Sequence, residues 1–188
     1  MHIVAISGSP RPGSVSSQIL NVAGNLLGST QHFTIYEALL ELPHFSPDLD
    51  TEPADLAVMA LRILLREADG VIICTPEYAF SMPSVLKNAL EWIVSSGEMN
   101  EMPVLSISTS PLPPGGEYAH TELRMVLKAL GARSANENML CIGATRKKIS
   151  PSGGILDAAI TEKIREEVIA LTKLMHNTNS EHDTIATH

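Results

Sequence analysis

Ile3-Val-Ala-Ile-Ser-Gly-Ser-Pro-Arg-Pro-Gly-Ser-Val-Ser-Ser-Gln18 is the stretch on which the reading of the fold turns. Four apolar residues with strand character end abruptly in serine, glycine, proline and one arginine. A helical pattern then resumes near Ser16. Such a strand–loop–helix turn brings three phosphate-holding features together. Small residues let backbone N–H groups approach an anion, a helix start offers unpaired N–H groups at the positive end of its dipole, and Arg11 adds a fork of donors. Ser9, Ser14, Ser16 and Ser17 add hydroxyls. By itself the stretch is equally well read as a plain turn with a serine cap, so its meaning rests on what surrounds it.

Outward from this turn, strands and helices alternate. Apolar runs at residues 2–6, 33–36, 70–75, 104–108 and 135–141 read as strands. The run at 70–75 is almost wholly apolar, as expected of a central parallel strand covered on both faces. Helices are expected at 16–27, from about 51–53 to 68, at 83–95, at 118–130 and at 156–175. In the second, Leu56, Met59, Ala60, Ile63 and Leu64 are expected to line the inner face. Strictly alternating elements imply an α/β three-layer sandwich, a five-stranded parallel sheet with helices on both faces. Five strands favour the flavodoxin-like order 2-1-3-4-5 over the six-stranded dinucleotide fold. Residues 1–176 read as a single domain and 177–188 as a disordered polar tail.

Bulk properties narrow the function. A formal charge of −8 over 188 residues disfavours a nucleic-acid partner. No apolar run reaches the length of a membrane span, so no membrane partner and a cytoplasmic location are expected. Cys74 and Cys141 lie in apolar runs without a CxxC spacing and read as core residues. Seven histidines lack any metal-ligand spacing, so no metal is expected.

In an open parallel sheet of this order, ligands bind beyond the carboxyl ends of the strands, at the switch point between the first and third. That rule selects three loops, residues 7–17, 75–83 and 108–117. The second is Thr75-Pro-Glu-Tyr-Ala-Phe-Ser-Met-Pro83, which sets two aromatic residues beside a carboxylate between prolines. The third is Ser108-Thr-Ser-Pro-Leu-Pro-Pro-Gly-Gly116, stiff at its prolines and open to close approach at Gly115 and Gly116. A phosphate cradle with two such walls suits a flat heteroaromatic molecule bearing one phosphate, which FMN is. Absences exclude related chemistries. The first loop has no cysteine nucleophile, Thr75-Pro76 stands where a phosphate-accepting Asp would be, and neither GxGxxG nor GxxxxGK[ST] occurs.

The first-loop run Gly8-Ser-Pro-Arg-Pro-Gly-Ser14, together with Pro76-Glu-Tyr-Ala-Phe-Ser-Met-Pro83 leading into Leu86-Lys-Asn-Ala-Leu-Glu-Trp92, resembles the NADPH-dependent FMN reductase family, a flavodoxin-like group that includes quinone, chromate and azo-dye reductases. The resemblance covers residues 1–145. It implies that Ser9, Arg11, Ser16, Ser17 and Gln18 bind the FMN phosphate. Pro76, Glu77, Tyr78, Ala79 and Phe80 would lie along the isoalloxazine ring, and Ser110, Gly115 and Gly116 would approach its other edge. Three positions depart from the family pattern: Ala79 replaces Asn, Ser84 replaces Gly and Ser16 replaces Asn.

The implied activity is an FMN-dependent NAD(P)H oxidoreductase, passing electrons from NADPH or NADH through FMN to a quinone-like or other small-molecule acceptor in a ping-pong cycle. A flavin-binding electron-transfer or redox-sensing protein without nicotinamide turnover is the alternative. Since the flavin carries the reactive atom, no protein residue is assigned as a catalytic acid or base. Glu77 reads as a loop-fixing or subunit-contact carboxylate, and Arg146-Lys147-Lys148 by default as a solvated loop, with contact to a pyridine-nucleotide phosphate as the alternative. A homodimer or homotetramer is expected, with Met82, Val85, Leu86, Trp92, Met99 and Met102 offered to a partner subunit.

Overall fold

The fold is that of a computed structural model, which describes residues 1–136, 138–150 and 154–185, with side chains described as far as Thr178. Six strands form one parallel sheet: β1 (His2–Ser7), β2 (His32–Tyr36), β3 (Gly70–Pro76), β4 (Pro103–Thr109), β5 (Arg133–Ser134) and β6 (Leu140–Ile142). The order is β2-β1-β3-β4-β5, with β6 also paired to β4. This is the flavodoxin-like order expected from the sequence. Ile6 lies opposite Ile73 and Ser7 opposite Cys74, so the ends of β1 and β3 open side by side.

The pleat sends alternate side chains to two cores. Val4, Ile6, Val71, Ile73 and Val104 pack under α2 (Leu56–Arg66), α3 (Ser84–Glu91) and α4 (Glu117–Ala129). Ile3, Ala5, Ile72, Cys74, Leu105 and Ile107 pack under α1 (Val15–Leu26) and α6 (Ala158–Ile185). The apolar residues of β1, β3 and β4 are thus covered on both faces, which explains their unbroken hydrophobicity. Helix α1 begins where Ser14 Oγ accepts the Ser17 N–H, and its Ile19, Leu20 and Ala23 form the buried stripe. A short helix, α5 (Thr145–Lys148), and two 3-10 turns at Leu39–Glu41 and Pro47–Leu49 complete the chain.

The structure corrects the sequence reading in several places. The buried stripe of α2 is Val58, Leu61, Arg62 and Leu65, whereas Leu56 is 82% exposed and Met59, Ala60 and Ile63 also face outward. The phase shifts because Arg62 points inward. It donates to the Trp92 carbonyl at 2.6 Å and pairs with Asp50 at 2.8 Å, so its charge is compensated. Met82, Leu86, Trp92, Met99 and Met102, expected at a subunit contact, are instead consumed by the chain's own core. Only Val85 of that set is less than fully buried.

The expected fifth strand is split. Asn136 turns its amide to the Ser106 and Asn138 carbonyls, at 3.3 and 3.0 Å, and separates β5 from β6. Glu137, within that expected strand, lies outside the described residues. Helix α6 runs beyond the expected end at Met175 to Ile185. There Thr178 Oγ1 back-bonds to the Leu174 carbonyl and receives Arg133 Nη1. Of the expected disordered tail, residues 186–188 lie outside the described residues.

Candidate active site

The first loop leaves β1 still bonded to its neighbour, Gly8 N–H donating to the Cys74 carbonyl at 2.8 Å. It then closes on a cluster of hydroxyls. Ser17 Oγ donates to Ser7 Oγ at 3.1 Å, and the Ser14 and Ser17 hydroxyls are 2.8 Å apart. Ser14 Oγ also caps the Ser17 N–H at 3.1 Å. The preceding N–H groups at the start of α1 have no acceptor within the helix. Ser16, 1% exposed, reaches across to Thr109 Oγ1 at 3.4 Å and ties this loop to the end of β4. The Arg11 side chain is exposed at the rim.

After β3 the chain makes a two-residue hairpin. Tyr78 and Ser81 exchange backbone hydrogen bonds at 2.9 and 3.1 Å, and Ala79 and Phe80 between them have φ of 51° and 62°. Positive φ at both central positions is the type I′ geometry. Without glycine or asparagine it costs about 1–2 kcal/mol per residue. Two carboxylates hold it against α4. Glu77 Oε2 accepts the N–H groups of Tyr118 and Ala119 at 3.0 and 3.1 Å, and Glu122 Oε2 accepts Ser81 Oγ at 2.5 Å and Met82 N–H at 3.0 Å. Phe80 and Tyr118 meet edge to face at 5.2 Å.

The third loop needs Gly116 at the head of α4. Its φ is 85°, and an added Cβ would come within 3.2 Å of Glu77 Cβ. With no cap side chain of its own there, α4 takes its cap from Glu77, a negative group at the positive end of the helix dipole. Beneath the loop sits His120, fully buried. Its Nε2 is 2.9 Å from Ser106 Oγ, and its Nδ1 is 3.3 Å from Ser108 Oγ and 3.4 Å from Cys141 Sγ. Ser108 Oγ in turn donates to the Gly115 carbonyl at 2.9 Å. Burial, with Arg124 nearby, pulls His120 down to about 4, so the imidazole is neutral at ordinary pH. Burial likewise pushes the Cys141 thiol up, and Cys74 up to about 12, which leaves neither thiol reactive.

A fourth segment joins the three expected loops. Ser110 N–H donates to the Ile142 carbonyl at 3.1 Å, Ala144 N–H to the Leu112 carbonyl at 3.1 Å and Thr145 N–H to the Ser110 carbonyl at 3.3 Å. Gly143 is required in this zipper, because a Cβ would land on the Pro113 carbonyl oxygen. The turn carries Thr145 and Arg146 to the site.

A cavity of about 360 Å³ lies among these four segments, within the size range of small-molecule sites. Of the residues selected from the sequence, Ser9, Arg11, Ser16, Pro76, Glu77, Tyr78 and Ser110 line it. Arg11 and Tyr78 therefore face the same space. Ser17 and Gln18 line a second cavity of about 390 Å³ on the other side of the first loop, which Ser9 and Arg11 share. Ala79 and Phe80 sit at the exposed hairpin tip, Gly115 packs on the backbone of residues 141–143, and Gly116 on Glu77. None of these four lines either cavity. The sequence reading included Thr109 in its third loop without singling it out, missed Thr145 and took a solvated loop as the default for Arg146. The split of the last strand, which hides the run into α5, removed the signal.

Comparison with known proteins agrees with this geometry. The profile of the NADPH-dependent FMN reductase family matches residues 1–146. Among characterised proteins, the chain is 32% identical over 185 residues to the NADH:(hydroxy)cinnamate reductase subunit CrdA of Vibrio ruber, covering 93% of this chain and 91% of that one. It is 27% identical over 176 residues to a quinone reductase of Escherichia coli, covering 90% and 93%. Among solved structures, the flavoenzyme NAD(P)H:(acceptor) oxidoreductase FerB of Paracoccus denitrificans superposes with a TM-score of 0.83, at 23% identity and over 94% of this chain and 97% of that one. With the sheet order, the cleft and a match across more than three-quarters of its length in agreement, the chain belongs to the NADPH-dependent FMN reductase family.

Proposed function

We propose that the cleft between the first, second and third loops binds FMN, and that the protein passes electrons from NADPH or NADH to quinone-like or other small-molecule acceptors. The observation that carries this reading is the convergence of Arg11, the Ser9 and Ser16 hydroxyls and the start of α1 on one wall, with Pro76, Glu77, Tyr78 and Ser110 on the others. The residues fit the group. A phosphate monoester dianion matches a guanidinium, serine hydroxyls and uncapped helix N–H donors. A flat ring matches a slot between a proline-stiffened hairpin and a glycine-rich loop. Ser17 and Gln18 support the first loop from its far side, Ser17 Oγ donating to Ser7 Oγ and Gln18 Nε2 to the Gly13 carbonyl, each at 3.1 Å.

FMN, when bound, supplies the acceptance of hydride and the release of electrons. The chain's residues orient and enclose. Glu77 and Glu122 hold the hairpin against α4, and the neutral His120 braces Ser108, which in turn donates to the Gly115 carbonyl, without introducing a charge. No side chain is assigned a proton transfer. Anaerobic addition of NADPH to FMN-loaded protein tests the reading. Bleaching of the flavin absorbance, restored by a quinone, is expected. An unbleached flavin that reduces only photochemically would make the protein an electron carrier.

Residues 1–176 constitute one FMN-binding domain in this proposal. The chain assembles with copies of itself as a homodimer or homotetramer, supported by the outward stripe Leu56, Met59, Ala60 and Ile63 on α2. The described residues contain no helix long and apolar enough to cross a membrane. A cytoplasmic location is supported by the dependence on NAD(P)H and by two unpaired cysteines.

A further inference from the structure

Arg11 is one of two arginines on the cleft. Arg146, on α5, lines the same cavity together with its neighbour Thr145. Elsewhere the chain compensates its arginines closely: Arg62 meets Asp50 and Arg66 meets Glu98, each at 2.8 Å. Among the described residues neither Arg11 nor Arg146 has a carboxylate partner. The one carboxylate on the cavity, Glu77, is engaged by the Tyr118 and Ala119 N–H groups. In a chain of net charge −8, two exposed guanidiniums left uncompensated on one cavity point to anionic ligands there.

The two arginines are not equivalent. Arg11 belongs to the hydroxyl-lined first loop, whose donors suffice for one phosphate. Arg146 stands where that cavity meets a neighbouring one of about 290 Å³, between α1 and α5, and Val15, Thr145 and Arg146 line both. A second ligand sharing the cleft and extending into the neighbouring cavity would pass a charged group across Arg146. The zipper that delivers this residue, Ala144 N–H to Leu112 and Thr145 N–H to Ser110, fixes its backbone to the third loop.

We propose that Arg146 receives a phosphoryl group of the dinucleotide co-substrate while Arg11 holds the phosphate of the flavin. This rests on the FMN reading above. The shared chemistry is a phosphate oxyanion on a guanidinium fork, and two groups of the co-substrate offer it: the diphosphate bridge common to NAD⁺ and NADP⁺, and the 2′-phosphate of NADP⁺ alone.

Equilibrium titration of NAD⁺ and NADP⁺ into FMN-loaded protein, followed by calorimetry, tests it, with FMN affinity measured in parallel by fluorescence quenching. Arg146→Ala is expected to weaken nucleotide binding about tenfold, as loss of a hydrogen bond to a charged group at an exposed site should. FMN affinity should stay within about twofold, and Arg146→Lys should recover part of the loss. Equal loss for both nucleotides assigns the diphosphate, and loss confined to NADP⁺ assigns the 2′-phosphate; either supports the proposal. Lys147→Ala, one residue on and lining neither cavity, should leave both affinities unchanged. Unaltered nucleotide binding in Arg146→Ala, or a loss of FMN affinity equal to the loss of nucleotide affinity, overturns the proposal while the FMN reading stands. Failure of the unsubstituted protein to bind FMN overturns both.

Discussion

Glu77 and Tyr118 are 41 residues apart in sequence, yet the Glu77 carboxylate accepts the Tyr118 N–H at 3.0 Å and so closes the N-terminus of α4. One side chain thereby fastens the second loop of the cleft to the helix that follows the third. Glu77→Ala removes the cap and the tether together. A loss of about 1 kcal/mol is expected, or a fall in melting temperature of about 2–4 °C for a chain of this size, with weaker FMN binding. Glu77→Gln keeps one acceptor and should lose less. Thermal melts and flavin titrations of the two variants check both effects.

The hairpin tip carries strain that is open to relief. Ala79 is exposed and has φ of 51°, a conformation asparagine tolerates because its side chain bonds locally. Ala79→Asn is expected to stabilise the fold by about 0.5–1 kcal/mol, and Ala79→Gly by less because glycine also loses more freedom on folding. A urea titration that showed both variants less stable would contradict this account of the turn.

His120 makes stability depend on pH in a definite direction. Its pKa is about 4 in the fold against 6.5 ordinarily, so below about 6.5 the unfolded chain binds a proton that the folded chain refuses. Stability contributed by the neutral ring is complete above pH 6.5 and is lost as pH falls toward 4, up to about 3 kcal/mol over that window. Urea unfolding at pH 7, 5.5 and 4.5 should show the decline, and His120→Gln should flatten it.

The ion pair between buried Arg62 and partly buried Asp50 gives a separate signature. Asp50→Ala leaves a buried guanidinium with the Trp92 carbonyl as its chief partner, at a cost of about 1–3 kcal/mol. The hydrogen bond from Ser95 and the one from Arg62 hold Asp50 below its ordinary value of 3.8. Its contribution is therefore present above that value and lost only as pH falls through the lower folded one. Asp50→Ala should thus be less stable than the parent at neutral pH and converge with it in strong acid.

Sheet order, the cleft between β1 and β3 and most of its lining were legible in the sequence, since each follows from period and punctuation. Central strands read as apolar runs, and the loops beyond them as clusters of Gly, Pro and Ser. What escaped depended on partners far along the chain. The inward face of α2 was misplaced because Arg62 reads as a surface residue until Asp50 and the Trp92 carbonyl are seen around it. The last strand broke at Asn136, whose amide takes carbonyls that a continuous ladder would have used. With that break unseen, the turn at Gly143 and the delivery of Thr145 and Arg146 to the cleft were hidden as well.

The central claim is that Arg11 and the first-loop hydroxyls grip the phosphate of a flavin seated against Tyr78. Titration of FMN into the protein, read by quenching of flavin fluorescence and compared with riboflavin, addresses it directly. The account predicts tight quenching by the parent, a preference for FMN over riboflavin, and a loss of about 10–100-fold in FMN affinity in Arg11→Ala that riboflavin does not share. Equal affinity for FMN and riboflavin, or an Arg11→Ala protein that binds FMN as the parent does, would contradict it.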